Sequence, residues 1–114
     1  MAQMKPLQIA VYVEDELYPG TSTNFGPNGI LILMEKPPML GEKVRLKIHF
    51  PDVPTPVEVK GEVVWTNPFG GGDPAVPKGC GVKFTGLSPD LQSLLSTMAF
   101  KYNPQGDPLK FFYS

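Results

Sequence analysis

Between Lys43 and Phe50 the chain alternates without a slip: Val44, Leu46, Ile48 and Phe50 are apolar, while Lys43, Arg45, Lys47 and His49 are polar. A period of two marks a half-buried strand. The next segment repeats it, with Val57, Val59, Val63 and Trp65 on one face and Glu58, Lys60 and Glu62 on the other. Gly61 falls on the inner face, where a bulge or tight bend would require it. The connector Pro51-Asp52-Val53-Pro54-Thr55-Pro56 is rich in turn formers, so the two strands are expected to pair as a hairpin.

Upstream, Ile9, Val11 and Val13 alternate with Ala10 and Tyr12. After a turn-rich interval, Ile30-Leu31-Ile32-Leu33-Met34 is apolar on both faces, as a central or covered strand would be. Downstream, Cys80, Val82 and Phe84 recur at every second position, after a loop from Asn67 to Lys78 whose Gly70-Gly71-Gly72 predicts mobility. One helix is predicted from about Pro89 to about Lys101. Ser88 caps it, Pro89 suits its first turn, Asp90 meets the positive end of its dipole, and Leu91, Leu94, Leu95 and Met98 follow at helical spacing. Asn103-Pro104 and Gly106-Asp107-Pro108 stop it, and the aromatic tail around Phe111, Phe112 and Tyr113 is expected to pack back or grip a partner. Short antiparallel strands and one closing helix imply an all-β fold, a small barrel whose edges are removed by closure.

Composition narrows the picture. The 114 residues suffice for one domain with a core and are too few for two. We expect that domain over residues 1–101 and a separate tail over 102–114. Fourteen prolines disfavour an all-helical chain. Ten basic and eleven acidic side chains, with Arg45 the only arginine, disfavour a DNA or RNA binder. A single cysteine and a single histidine allow neither an internal disulfide nor a multi-cysteine metal site, so no metal is expected and a reducing, cytoplasmic setting fits best. The apolar run Ile9 to Val13 ends at Glu14 and Asp15, far short of a membrane span.

Catalytic chemistry finds no footing. His49 lies on the polar face of one strand and Cys80 on the apolar face of another, so no base reaches a nucleophile and the chain is expected not to be an enzyme. Glu14-Asp15-Glu16 reads as a solvated strand end. Lys43, Arg45, Lys47 and His49 on one face would suit an acidic partner or a phosphate, and cross-strand pairing with Glu58 and Glu62 is the plainer account.

The stretch Thr21-Ser22-Thr23-Asn24-Phe25-Gly26-Pro27-Asn28-Gly29, followed at once by the apolar run Ile30 to Met34, resembles the start of a PilZ domain, whose loop motif is [D/N]-x-S-x-x-G. Asn24, Gly26 and Gly29 take the three marked places. Gly41-Glu42-Lys43-Val44, Gly61-Glu62-Val63-Val64-Trp65 and Gly79-Cys80-Gly81-Val82-Lys83-Phe84 continue the likeness, which covers roughly Thr21 to Leu95. It implies a six-stranded antiparallel barrel with one C-terminal helix. It also implies either a cytoplasmic receptor for cyclic di-GMP or an adaptor for motility, pilus or signalling proteins that has lost the nucleotide.

The residues favour the second. Binding members carry an R-x-x-x-R segment upstream of the loop, and here the corresponding region offers only Lys5, a point charge without the guanidinium fork. Gly26 replaces the family serine. Hydrogen bonds to charged groups contribute roughly 1.5–3 kcal/mol each, so two arginines and a hydroxyl amount to about 5 kcal/mol, or three to four decades of affinity. The ligand-contacting positions left are Lys5, Asn24, Gly26, Gly29 and Trp65, with cyclic di-GMP binding expected to be weak or absent. The tail residues Phe111, Phe112 and Tyr113 are the expected partner contacts.

Overall fold

The computed structural model describes residues 6–51, 53–69 and 78–102. Its strands are β1 (Leu7–Val13), β2 (Glu16–Phe25), β3 (Gly29–Leu33), β4 (Lys43–His49), β5 (Val57–Asn67) and β6 (Gly79–Thr85), and one helix follows, α1 (Pro89–Tyr102). Every pairing is antiparallel, and the sheet closes on itself in the order β1-β2-β3-β6-β5-β4. This is the small closed barrel with one C-terminal helix that the alternation implied, with the six strands that the resemblance implied.

The core follows from that alternation. Leu7, Ile9 and Val11 of β1, Val44, Leu46 and Ile48 of β4, Val57, Val59 and Val63 of β5, and Cys80, Val82 and Phe84 of β6 all point inward and are buried. Phe25 and Phe50 pack as a tilted pair with ring centroids 5.6 Å apart. Ser88 Oγ accepts the Leu91 N–H at 3.1 Å, the expected cap. Leu95 and Ala99 of α1 join the core, with Leu91, Leu94 and Met98 packed against it. The helix runs one residue past the expected stop, to Tyr102.

Two expectations need correction. The interval before β3 is not turn-rich loop but a ten-residue strand, β2, joined to β1 by a two-residue turn at Glu14 and Asp15. Its inner-face residues are Tyr18, Gly20, Ser22 and Phe25, too few of them large and apolar to register as a hydrophobic period. Gly61 makes no bulge: it stays in register between Val44 and Phe84. A Cβ there would lie 2.3 Å from Val82 Cγ1 and 2.8 Å from the Lys83 carbonyl oxygen, so the neighbouring strand itself demands glycine. Strand β3 is central, flanked by β2 and β6, as its apolar run implied, although Leu33 on its outer face is exposed. The triple-glycine loop and the aromatic tail lie outside the described residues.

Candidate functional site

The site begins with a bulge in β2. Thr21 pairs with Leu33 and Asn24 with Leu31, so β2 spends one residue more than β3 between these pairs. Ser22 holds this irregularity. Its hydroxyl is fully buried, donating to the Asn24 carbonyl at 3.1 Å and accepting the Asn24 N–H at 3.2 Å. Phe25 is thereby aimed into the core and Asn24 to the outside.

Beyond Phe25 the chain reverses through Pro27 and Asn28. The Gly26 N–H donates to the Gly29 carbonyl at 2.8 Å, and the Phe84 N–H donates to the Asn28 carbonyl at 2.8 Å, tying the turn to β6. Gly26 and Gly29 are both buried, so the part of this turn that a ligand would meet is Pro27 and Asn28.

A second bulge sets Trp65. Val63 pairs with Val82 and Trp65 with Gly81, so Val64 is the extra residue. The 41–42 segment engages β5 just before it: Val63 accepts the Gly41 N–H at 2.8 Å and donates to the Glu42 carbonyl at 2.9 Å. Just after it, the Thr66 hydroxyl donates to the Pro38 carbonyl at 2.8 Å. Simple alternation put Trp65 inside with Val63. The bulge instead turns it outward over Gly81, and it is half-buried rather than part of the core.

The two bulges bring distant residues into one line. Asn24 lies opposite Leu31, Leu31 opposite Gly81, and Gly81 opposite Trp65, so a single row crosses the outer face of β2, β3, β6 and β5. At the usual strand spacing the row spans about 14 Å. Gly81 has no side chain, which leaves a step between Leu31 and the indole of Trp65. The adjacent row holds Gly29, Lys83 and Glu62. On the other side Thr21 and Leu33 border a recess of about 340 Å³ that also reaches Gln8 and Lys78. Lys78 is paired there with Glu35 at 3.2 Å.

Two of the expected site residues, Asn24 and Trp65, thus share a surface. Gly26 and Gly29 shape the adjoining turn. Lys5, Phe111, Phe112 and Tyr113 lie outside the described residues. Lys83 and Lys78 were not singled out from sequence, although the alternation of Gly79, Gly81 and Lys83 against Cys80, Val82 and Phe84 does carry the signal that Lys83 faces out. Arg45 lies elsewhere. Its row contains Tyr12, Lys60 and Thr85, four residues along β6 from Gly81, and Leu17, seven residues along β2 from Asn24. Those steps amount to roughly 13 and 23 Å, beyond the reach of one side chain.

The remaining reactive groups are separated by the barrel wall. His49 is outside, opposite Gln8, whereas Cys80 is fully buried with its Sγ 3.8 Å from Met34 Sδ. Burial pushes the Cys80 thiol up to about 12, which removes it as a nucleophile. Among the described residues no three His, Cys, Asp or Glu side chains cluster as metal ligands. No helix among them is long and apolar enough to cross a membrane.

Comparison with known proteins agrees with this fold. The family model described as PilZ domain matches residues 5–101, and the chain belongs to the PilZ family. No curated protein matches it. Among solved structures, it is similar to that of the Bacillus subtilis inhibitor of motility (MotI/DgrA), with a TM-score of 0.65 and 20% sequence identity. The match covers 90% of this chain and 49% of the other, so this chain spans about half the length of that protein. At this identity the likeness is one of fold.

Proposed function

We propose that the chain is a non-catalytic PilZ-type adaptor in signalling or motility, working in the cytoplasm through contacts with motility, pilus or signalling proteins and holding cyclic di-GMP weakly or not at all. One observation carries this reading: the only arginine lies well away from the row of Asn24 and Trp65 and is paired with Glu58 at 3.8 Å. The row therefore has Lys83 and Lys78 beside it but no guanidinium fork to grip a phosphate and a guanine edge together. The aromatic tail is the sequence feature that speaks for a protein partner.

A second reading, a cyclic di-GMP receptor, draws on the outward turn of Trp65 onto the same row as Asn24, which offers a π face and an amide together. The two are separated by complementation in the host cell. On the adaptor reading, deleting the gene alters motility and a variant carrying Asn24→Ala with Trp65→Ala restores it, whereas removal of residues 109–114 does not. Failure of the double variant to restore motility, with the shortened chain succeeding, would favour the receptor.

A further inference from the structure

The outer face of β4, β5 and β6 is far more basic than the chain as a whole. Lys43, Arg45 and Lys47 project from β4, Lys60 from β5 and Lys83 from β6, against only Glu58 and Glu62. Among the outward residues of these three strands, half of the ten cations in a chain of net charge −1 thus stand with two of its eleven carboxylates. The register accounts for only part of this. Lys47 lies opposite Glu58, and Lys43 and Lys83 flank Glu62, but Arg45 lies directly opposite Lys60. Like charges in that position oppose folding.

The Arg45–Glu58 contact does not relieve the conflict, being 3.8 Å long with both side chains about half exposed. Tyr12, on the opposite side of β4 from β5, holds two of its cations: Arg45 Cζ lies 5.2 Å and Lys47 Nζ 5.4 Å from its ring centroid. A recess of about 400 Å³ opens here, lined by Tyr12, Lys43, Arg45, Lys60 and Thr85, with Glu14 as its one carboxylate. Cations ordered over an aromatic ring and held against a like charge beside a recess form a surface that an anion would complete.

We propose that this face, centred on Arg45 and Lys60, docks an acidic peptide segment of a partner protein; the proposal deepens the adaptor reading and rests on it. The spacing favours a peptide. Lys43, Arg45 and Lys47 are two residues apart along β4, roughly 6.6 Å per step, and carboxylates at alternate positions of an extended peptide have the same spacing. Glu58 and Glu62, set among the cations, repel a polymer that carries a phosphate at every nucleotide. The barrel is closed, so the segment cannot add as a strand and is recognised through side chains.

The test is an amide-shift titration of the full chain with the synthetic peptide Ser-Glu-Ser-Glu-Ser-Glu-Ser, its glutamine counterpart, pyrophosphate and a short oligothymidylate. The proposal expects the glutamate peptide to shift Tyr12, Arg45, Lys60 and Thr85, to lose affinity with added salt, and to bind about tenfold or more weakly to the variant carrying Arg45→Gln with Lys60→Gln. It also expects that variant to melt no lower than the parent, since the like-charge conflict is gone. It is overturned if the glutamate peptide causes no shifts at this face, if the glutamine peptide or the double variant behaves the same, or if pyrophosphate or the oligonucleotide binds more tightly there. Such a failure leaves the adaptor reading standing on the motility complementation, which does not depend on this face.

Discussion

Trp65 lies opposite Gly81 across the β5–β6 ladder, two residues along β5 but only one along β6 from the pairing of Val63 with Val82. That offset places the only tryptophan on the outside of the barrel. Trp65→Ala is therefore expected to cost about 1 kcal/mol in urea unfolding, against the roughly 3–5 kcal/mol expected for Phe25→Ala in the core. Equal costs would mean that the indole is core after all.

Two glycines are fixed by backbone approach. A Cβ on Gly79 would lie 2.0 Å from the Ile32 carbonyl oxygen, and one on Gly61 would lie 2.3 Å from Val82 Cγ1. Gly79→Ala and Gly61→Ala are each expected to destabilise the barrel by about 2 kcal/mol or more, read from chemical denaturation midpoints. Gly41→Ala has open space around its Cβ, and its φ of 87° makes its cost one of backbone strain alone, about 1 kcal/mol.

These positions show what was legible in the sequence. The partners β4 and β5 were plain because large β-branched and aliphatic residues alternate with charges along both. Strand β2 was not, because its inner face uses Gly20 and Ser22 where other strands use valine or isoleucine, and its outer face carries Leu17 and Pro19. Gly20 is there for space: a Cβ would meet Ile32 Cγ2 at 2.5 Å. The site was half legible for a related reason. The motif marked Asn24, but its alignment with Trp65 depends on two bulges, and a bulge shifts the facing of every later residue without leaving a periodic trace.

The β1–β2 turn offers a stabilising change. Glu14 has a φ of 57°, a left-handed conformation that costs a residue with a Cβ about 1 kcal/mol or more. Glu14→Gly is expected to raise stability by about 0.5–1 kcal/mol, and a loss in thermal or urea unfolding would contradict the turn geometry.

Cys80 makes stability fall at alkaline pH. Burial raises its thiol from an ordinary 9.0 to about 12 in the folded chain, so the unfolded chain releases its proton first. The associated stability is complete below about pH 9 and is lost as pH rises toward 12. Tyr18 acts in the same direction, its hydroxyl raised chiefly by its hydrogen bond to Glu16. Cys80→Ala is expected to flatten the alkaline fall in urea midpoint. At neutral pH a thiol reagent should label the native protein only as fast as it opens; immediate labelling would contradict the burial.

The distance between Arg45 and the row of Asn24 and Trp65 is the centre of the account, and a cyclic di-GMP titration of the full chain, followed by amide shifts in ordinary salt, tests it most directly. At nucleotide concentrations up to about 1 mM, only small shifts in fast exchange are expected, confined to the neighbourhood of Asn24, Leu31, Trp65 and Lys83. A saturable complex at micromolar nucleotide, in slow exchange and of defined stoichiometry, would contradict it.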